Sequence, residues 1–139
     1  MQSIVLASAS PRRAELLRQI GLSFLVQPAD IDETPASNES AEHYVERLAR
    51  EKALAGSASK PGCLVIGSDT SVVLEGRILG KPDSTGDATV MLQALSGTTH
   101  QVMTGVAVVH KGICESRLVI ANVRFRELLT AEIEAYVAT

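Results

Sequence analysis

Aromatic side chains are scarce in this chain: among 139 residues there are two Phe, two Tyr and no Trp. A stacking platform for single-stranded nucleic acid needs aromatic faces under its bases, so that class is excluded. The apolar fraction of 45% must build its core from Val, Leu, Ile and Ala. Surplus positive charge is also missing. A net charge of −3 offers no basic footprint for a polynucleotide backbone, so any positive site has to be local. The two cysteines, Cys63 and Cys114, lie far apart, with no second Cys or His at metal-ligand spacing. They read as buried or half-buried free thiols. No apolar run reaches the length of a membrane span, and the opening Met-Gln-Ser enters a strand with no basic leader, so a cytoplasmic chain without membrane or nucleic-acid partners is expected. Neither a P-loop nor a G-x-G-x-x-G fingerprint is found, which excludes an ordinary kinase or dinucleotide-binding protein.

Strand-like and helix-like segments alternate, and they predict a single α/β domain over residues 1–139. A strand at 4–7 leads into a helix at 11–20 with Leu16, Leu17 and Ile20 on its buried face. A second strand at 23–27 and an exposed polar loop at 30–40 follow. The next helix, 41–55, places Val45, Leu48, Ala49 and Lys52 at spacings of three and four, so Lys52 lies near the edge of the buried face. The apolar run 63–67 reads as a strand buried on both faces that ends in Ser68-Asp69-Thr70. Residues 72–74 and 77–79 form a hairpin around Glu75-Gly76. A helix at 87–95 precedes a long strand at 100–109. Beyond Gly112 a partner strand has Val119, Ala121, Val123 and Phe125 as its inner set, and Thr130 caps a last helix.

Chemistry gathers at the first strand-to-helix junction. Ser10 suits the N-cap, Pro11 the N1 position, and Gly21 the C′ position. Arg12 and Arg13 then fall in a first turn, where the helix dipole favours acids. Two adjacent departures from a local rule describe an anion or phosphate site, with Ser8 beside it; the competing reading is solvated arginines and ordinary loop serines. Asp69 presents a similar choice. A carboxylate where a buried strand ends lines the ligand crevice of an open α/β sheet, or it caps its own turn. Its companions are Glu33 in the exposed loop, Lys52 on the helix edge, and Lys81 between a Gly and a Pro. Two acids and several cations suit metal-assisted attack on a nucleoside triphosphate, whose charge must be neutralised while a water is deprotonated. Asp69 could be that general base or a metal ligand. His43, His100 and His110 are too scattered for a metal cluster and read as structural or surface residues.

Taken in order, the run Leu-Ala-Ser-Ala-Ser-Pro-Arg-Arg at 6–13, Asp-Glu at 32–33, Leu-Ala-Arg-Glu-Lys-Ala at 48–53, Gly-Ser-Asp-Thr at 67–70, Gly-Lys-Pro at 80–82, Leu-Ser-Gly at 95–97 and His-Gln-Val-Met-Thr at 100–104 resemble the Maf family across essentially the whole chain. Its members are nucleotide pyrophosphatases, sometimes described as septum-formation inhibitors. The resemblance implies a mixed, twisted α/β sheet flanked by helices, of the Maf and inosine-triphosphatase kind, with a deep central cleft. It implies house-cleaning hydrolysis of a nucleoside triphosphate to the monophosphate and pyrophosphate with Mg²⁺ or Mn²⁺. Asp69 matches the family's proton acceptor, Arg12 and Thr70 match positions linked to base choice, and Ser8, Arg13, Glu33, Lys52 and Lys81 match its polar cleft. Glu33 and Asp69 are the expected metal ligands. Arg12 after Pro11, with Thr70 after Asp69, looks like the branch acting on dTTP and UTP. The alternatives are the 7-methyl-GTP branch, which usually has Trp and Gln at those places, and a non-catalytic nucleotide binder or division regulator. A homodimer is left open. Family members usually continue into an Ala-Gly-x-Tyr-x-x-Gln-Gly motif, whose Gln belongs to the specificity set, and a terminal Val-Gly-Leu-Pro motif. Neither is found here, so the expectation is a domain shortened at its C-terminus.

Overall fold

The computed structural model describes residues 3–8, 10–80 and 84–138. In chain order the elements are β1 (Ile4–Leu6), α1 (Pro11–Gln19), β2 (Leu25–Val26), α2 (Ala41–Ser59), β3 (Leu64–Leu74), β4 (Arg77–Leu79), α3 (Thr85–Leu95), β5 (Thr99–His110), β6 (Ile113–Arg124) and α4 (Thr130–Val137). The six strands make one mixed sheet in the order β2-β1-β3-β5-β6, with β4 paired to β3. β1 runs parallel to both β2 and β3, whereas β4 is antiparallel to β3, so the sheet is mixed as expected. No helix among the described residues is long and apolar enough to cross a membrane. The chain divides into two compact units, Met1–Thr70 with Thr104–Val119, and Ser71–Met103 with Ile120–Thr139.

In the first unit, small residues replace the missing aromatics. A Cβ on Gly67 would lie 2.4 Å from the Ala49 carbonyl oxygen, and one on Gly105 would lie 2.8 Å from that of Val45. The α2 backbone therefore rests directly on β3 and β5. Ala49, Ala53, Ala107 and Val109 close the seam with Cys114 against them, while Val5, Ala7 and Val65 form a second cluster beside Cys63. Both thiols are free and half-buried, as expected. The helix begins at the Ser40 cap, whose hydroxyl accepts the His43 N–H, and it runs past residue 55 to Ser59. Gly56 does not break it, because a Cβ there would lie 2.8 Å from Val65 and the bare backbone is what lets the helix pass the sheet.

Three expectations for this unit are corrected. α1 buries only Ala14, while Leu16 is 51% and Ile20 71% exposed; periodicity identifies an apolar stripe but not what covers it. The second strand shrinks to Leu25–Val26, both exposed, because it pairs at the sheet edge with β1 alone. β3 does not end before Ser68-Asp69-Thr70 but carries these residues in its middle. What ends there is its partner: the parallel ladder stops at Leu6–Ile66, followed by one last bond from Ala7 N–H to the Ile66 carbonyl.

In the second unit, β3 and β4 join through Glu75 and Gly76 at φ of 51° and 78°, the pair of positive angles that a tight hairpin requires. α3 starts two residues earlier than expected, where the Ser84 hydroxyl accepts the Asp87 N–H. The cap of α4 is Leu129, not Thr130: leucine has no hydroxyl to accept a first-turn N–H, and Glu132 at the third helical position instead accepts the Leu129 N–H at 3.1 Å. The inner set assigned to the last strand is also corrected. Val119 is 60% exposed and Ala121 is exposed, while Val123 and Phe125 are half-buried, because β6 is the sheet's edge strand.

Candidate active site

All described site residues expected from the sequence lie in the first unit, on three segments that the sheet brings together. The first is the β1–α1 junction. Ser10 caps α1 by accepting the Arg13 N–H at 3.4 Å, and the Ser8 hydroxyl, itself buried, accepts the Ser10 N–H at 3.1 Å. This turn sends the two arginines in different directions. Arg13 bends back, half-buried, with Nη1 donating to Ser8 Oγ at 3.4 Å and Nη2 to Thr70 Oγ1 at 2.8 Å. Burial lowers its pKa, opposed by the negative charge of Asp69. Arg12 is exposed, with no hydrogen-bonding or ion-pairing partner among the described residues.

The second segment is the middle of β3. Beyond Ile66 the strand has lost its β1 neighbour, and polar side chains take over. Ser68, Asp69 and Ser71 are buried, and Thr70 is exposed. A buried carboxylate needs a charged or hydrogen-bonding partner. Asp69 has one in Lys52, whose Nζ stands 3.2 Å from Oδ1. Among the described residues no donor meets its other oxygen, Oδ2. The turn-cap alternative for Asp69 is thereby removed, since the residue sits within a continuous strand. Thr70 links Arg13 to Thr104 on β5, with the two threonine hydroxyls 3.2 Å apart.

The third segment is α2 with the loop before it. Lys52 reaches Asp69 and also stands 3.5 Å from Glu33 Oε1, so one ammonium joins both acids. Tyr44, two turns earlier, donates from its hydroxyl to the Glu33 carbonyl at 2.6 Å. Its phenol pKa is raised by burial first and then by Asp69 and Glu33, so the hydroxyl keeps its proton.

Ser8, Arg13, Glu33, Lys52, Asp69 and Thr70 thus gather in one place, with Arg12 on the rim of α1. Lys81 lies outside the described residues. Two participants were not singled out from the sequence. Thr104 closes the His-Gln-Val-Met-Thr run, and only the strand pairing reveals that its hydroxyl meets Thr70. Tyr44 precedes Leu48 and Lys52 by steps of four, a helical stripe that could have identified it.

The donor set can be tested against a divalent cation. Glu33 and Asp69 converge on one point, as their shared Lys52 contact demonstrates, and carboxylate oxygens are the hard ligands that Mg²⁺ and Mn²⁺ accept. Among the described residues no group of three or more His, Cys, Asp or Glu gathers to cage an ion. Two carboxylates with substrate oxygens and water are how Mg²⁺ usually binds, so the residues fit.

The model for the family described as Maf-like protein matches residues 3–139. The dTTP/UTP pyrophosphatase of Alcanivorax borkumensis is 52% identical over 138 residues, covering 98% of this chain and 72% of the relative. That of Moorella thermoacetica is 50% identical, over 100% of this chain and 73% of its own. Among solved structures, a HAM1 protein from Coxiella burnetii superposes with a TM-score of 0.57 at 18% identity, covering 89% of this chain and 73% of the other. That last likeness concerns the fold alone.

Proposed function

The chain belongs to the Maf-like protein family, and from that premise we propose that it is a nucleoside triphosphate pyrophosphatase hydrolysing dTTP and UTP to the monophosphate and pyrophosphate. The observation that carries the reading is the position of Asp69: a buried carboxylate held on one oxygen by Lys52 beside the Arg13 guanidinium. That is a base adjacent to cations, which attack on a polyanion requires.

In this reading Arg12, Arg13 and Lys52 neutralise the triphosphate, and Ser8 keeps the Arg13 fork aligned. Asp69 Oδ2 accepts a proton from the attacking water as its oxygen bonds to the α-phosphorus. The bond from that phosphorus to the bridging oxygen breaks, and pyrophosphate leaves. A divalent cation held by Glu33 and Asp69 would supply further charge neutralisation on the phosphates. Thr70, anchored by Arg13 and Thr104, offers a hydroxyl for base choice. The reaction belongs with the nucleotide pools of the cytoplasm, and the substrate is the free nucleotide.

Pyrophosphate release with Mg²⁺ or Mn²⁺ tests the proposal on a panel of dTTP, UTP, CTP, 7-methyl-GTP and dITP. Release from dTTP and UTP in preference to the rest is expected. Turnover of 7-methyl-GTP alone, or of none by folded protein, would overturn it.

A further inference from the structure

The Glu33 carboxylate reaches the site from a loop without regular structure, and its side chain is 56% exposed. Packing cannot hold such a side chain, and a free glutamate loses considerable rotamer entropy when fixed. Its backbone, however, is fastened to α2. Tyr44 donates to the Glu33 carbonyl at 2.6 Å, and Arg47, three residues on and with its guanidinium 5.5 Å from the Tyr44 ring centre, donates to the Thr34 carbonyl at 3.3 Å. Arg47 is fixed in turn by Glu39, through bonds of 2.7 and 2.9 Å from Nε and Nη2, and by Glu51 at 2.5 Å. The Glu39 side chain, 2% exposed, also accepts the Ala36 N–H at 3.0 Å. The loop is thus fastened at residues 33, 34 and 39 to the helix that delivers Lys52, with residue 36 held to Glu39.

We propose that Tyr44, with Arg47 as its second anchor, is a positioning residue that sets Glu33 at its working distance from Lys52 and Asp69. Neither side chain touches the reacting atoms; both act through Glu33. The proposal rests on the reading that Glu33 helps to hold the divalent cation. If that reading holds, Tyr44 determines how tightly the cation binds more than how fast the chemistry runs.

The test measures Mn²⁺ binding by electron paramagnetic resonance at saturating, non-hydrolysable α,β-imido-dTTP, in the wild type, Tyr44→Phe, Glu33→Gln and the double variant. Half-saturating Mg²⁺ and kcat for dTTP are followed alongside. Tyr44→Phe keeps the ring and removes one hydrogen bond. A roughly three- to tenfold weakening of Mn²⁺ binding is expected, with kcat changed less and the thermal midpoint nearly preserved. Because Tyr44 acts only through Glu33, the change should vanish in the Glu33→Gln background. Additive effects, or unaltered Mn²⁺ binding in Tyr44→Phe while Glu33→Gln weakens it, would overturn the positioning role alone. Unaltered binding in Glu33→Gln would remove the metal role of Glu33 and the proposal with it. Arg47→Lys keeps a charge for Glu39 but lacks the fork that spans Glu39, Glu51 and Thr34, so it should repeat the weakened Mn²⁺ binding of Tyr44→Phe, with a lower thermal midpoint.

Discussion

Asp69 and the arginines of α1 show how much a single side chain's surroundings decide. The Asp69 carboxylate is buried with Lys52 as its charged partner at one oxygen. Asp69→Asn keeps the shape and loses the base. Pyrophosphate release from dTTP should fall by about 10² to 10⁴ with the circular dichroism spectrum unchanged. Comparable turnover in that variant would remove Asp69 from the mechanism. Arg12 and Arg13 look equivalent as neighbours in sequence, yet Arg13 is committed to Ser8 and Thr70 while Arg12, at the exposed rim, has no partner among the described residues. Arg12→Ala should therefore leave the fold intact and raise KM for dTTP by roughly ten- to a hundredfold, the loss of one charge-assisted contact. A KM within twofold of the wild type would place the triphosphate elsewhere. The residues at 6–13 announced an anion site, but the division of labour between the two guanidiniums depends on Thr70, 57 positions away from Arg13.

At the scale of elements, α2 organises the site. It carries Lys52, anchors the Glu33 loop through Tyr44 and Arg47, and rests on β3 where Gly67 lacks a side chain. Gly67→Ala would set a Cβ against helix backbone, 2.4 Å from the Ala49 oxygen and 2.5 Å from the Ala53 nitrogen. No rotamer relieves that clash, so α2 must move off β3, costing about 1 to 3 kcal/mol and drawing Lys52 from Asp69. Urea midpoint and kcat should fall together. Gly86→Ala is the contrasting case: it lies in α3, and its Cβ would meet nothing closer than Ser84 Oγ at 3.7 Å, so stability should hold or rise slightly. The periodicity of α2 was legible in the sequence, including Lys52 at the edge of its buried face. The continuity of β3 was not, because Ser68-Asp69-Thr70-Ser71 has the composition of a loop. A strand accepts a buried carboxylate and a polar neighbour where other elements supply their partners, and Lys52 does so for Asp69 while Arg13 and Thr104 do so for Thr70.

For the whole molecule, acid stability and ligand linkage carry the consequences. The Arg47 guanidinium, more than any other group, holds the Glu39 carboxyl down to about 2 from an ordinary 4.5, and Arg126 does the same for Glu132. Both folded values lie below the unfolded ones. Their stabilisation is therefore fully present above about pH 4.5 and is lost as pH falls toward 2. Glu39→Gln should lower the urea midpoint at pH 6 and flatten its decline between pH 4.5 and 3; parallel curves would show that the Glu39–Arg47 pair carries none of the acid sensitivity. A nucleotide that binds only the folded chain stabilises it by mass action. Non-hydrolysable α,β-imido-dTTP with Mg²⁺ at a hundred times its Kd should add about 2.7 kcal/mol, raising the thermal midpoint by roughly 10 °C. No shift with the analogue would contradict nucleotide binding outright.

What the sequence determined by itself is local and chemical. Periodicity and capping place nearly every element, because caps, Gly turns and apolar spacing act within a few residues; the Ser10 cap and the Glu75-Gly76 turn lie where the chain writes them. Motif order is enough to indicate the family, and charge is enough to require a local positive site. Tertiary structure decided the rest. It determined which apolar stripe is covered, leaving Leu16, Ile20 and Val119 exposed, since burial belongs to the neighbour and not to the residue. It placed Asp69 inside a strand and joined it through Lys52 to Glu33, groups 17 and 19 positions from that lysine. Distances of that kind are properties of how helix and sheet pack, and sequence spacing holds no record of them.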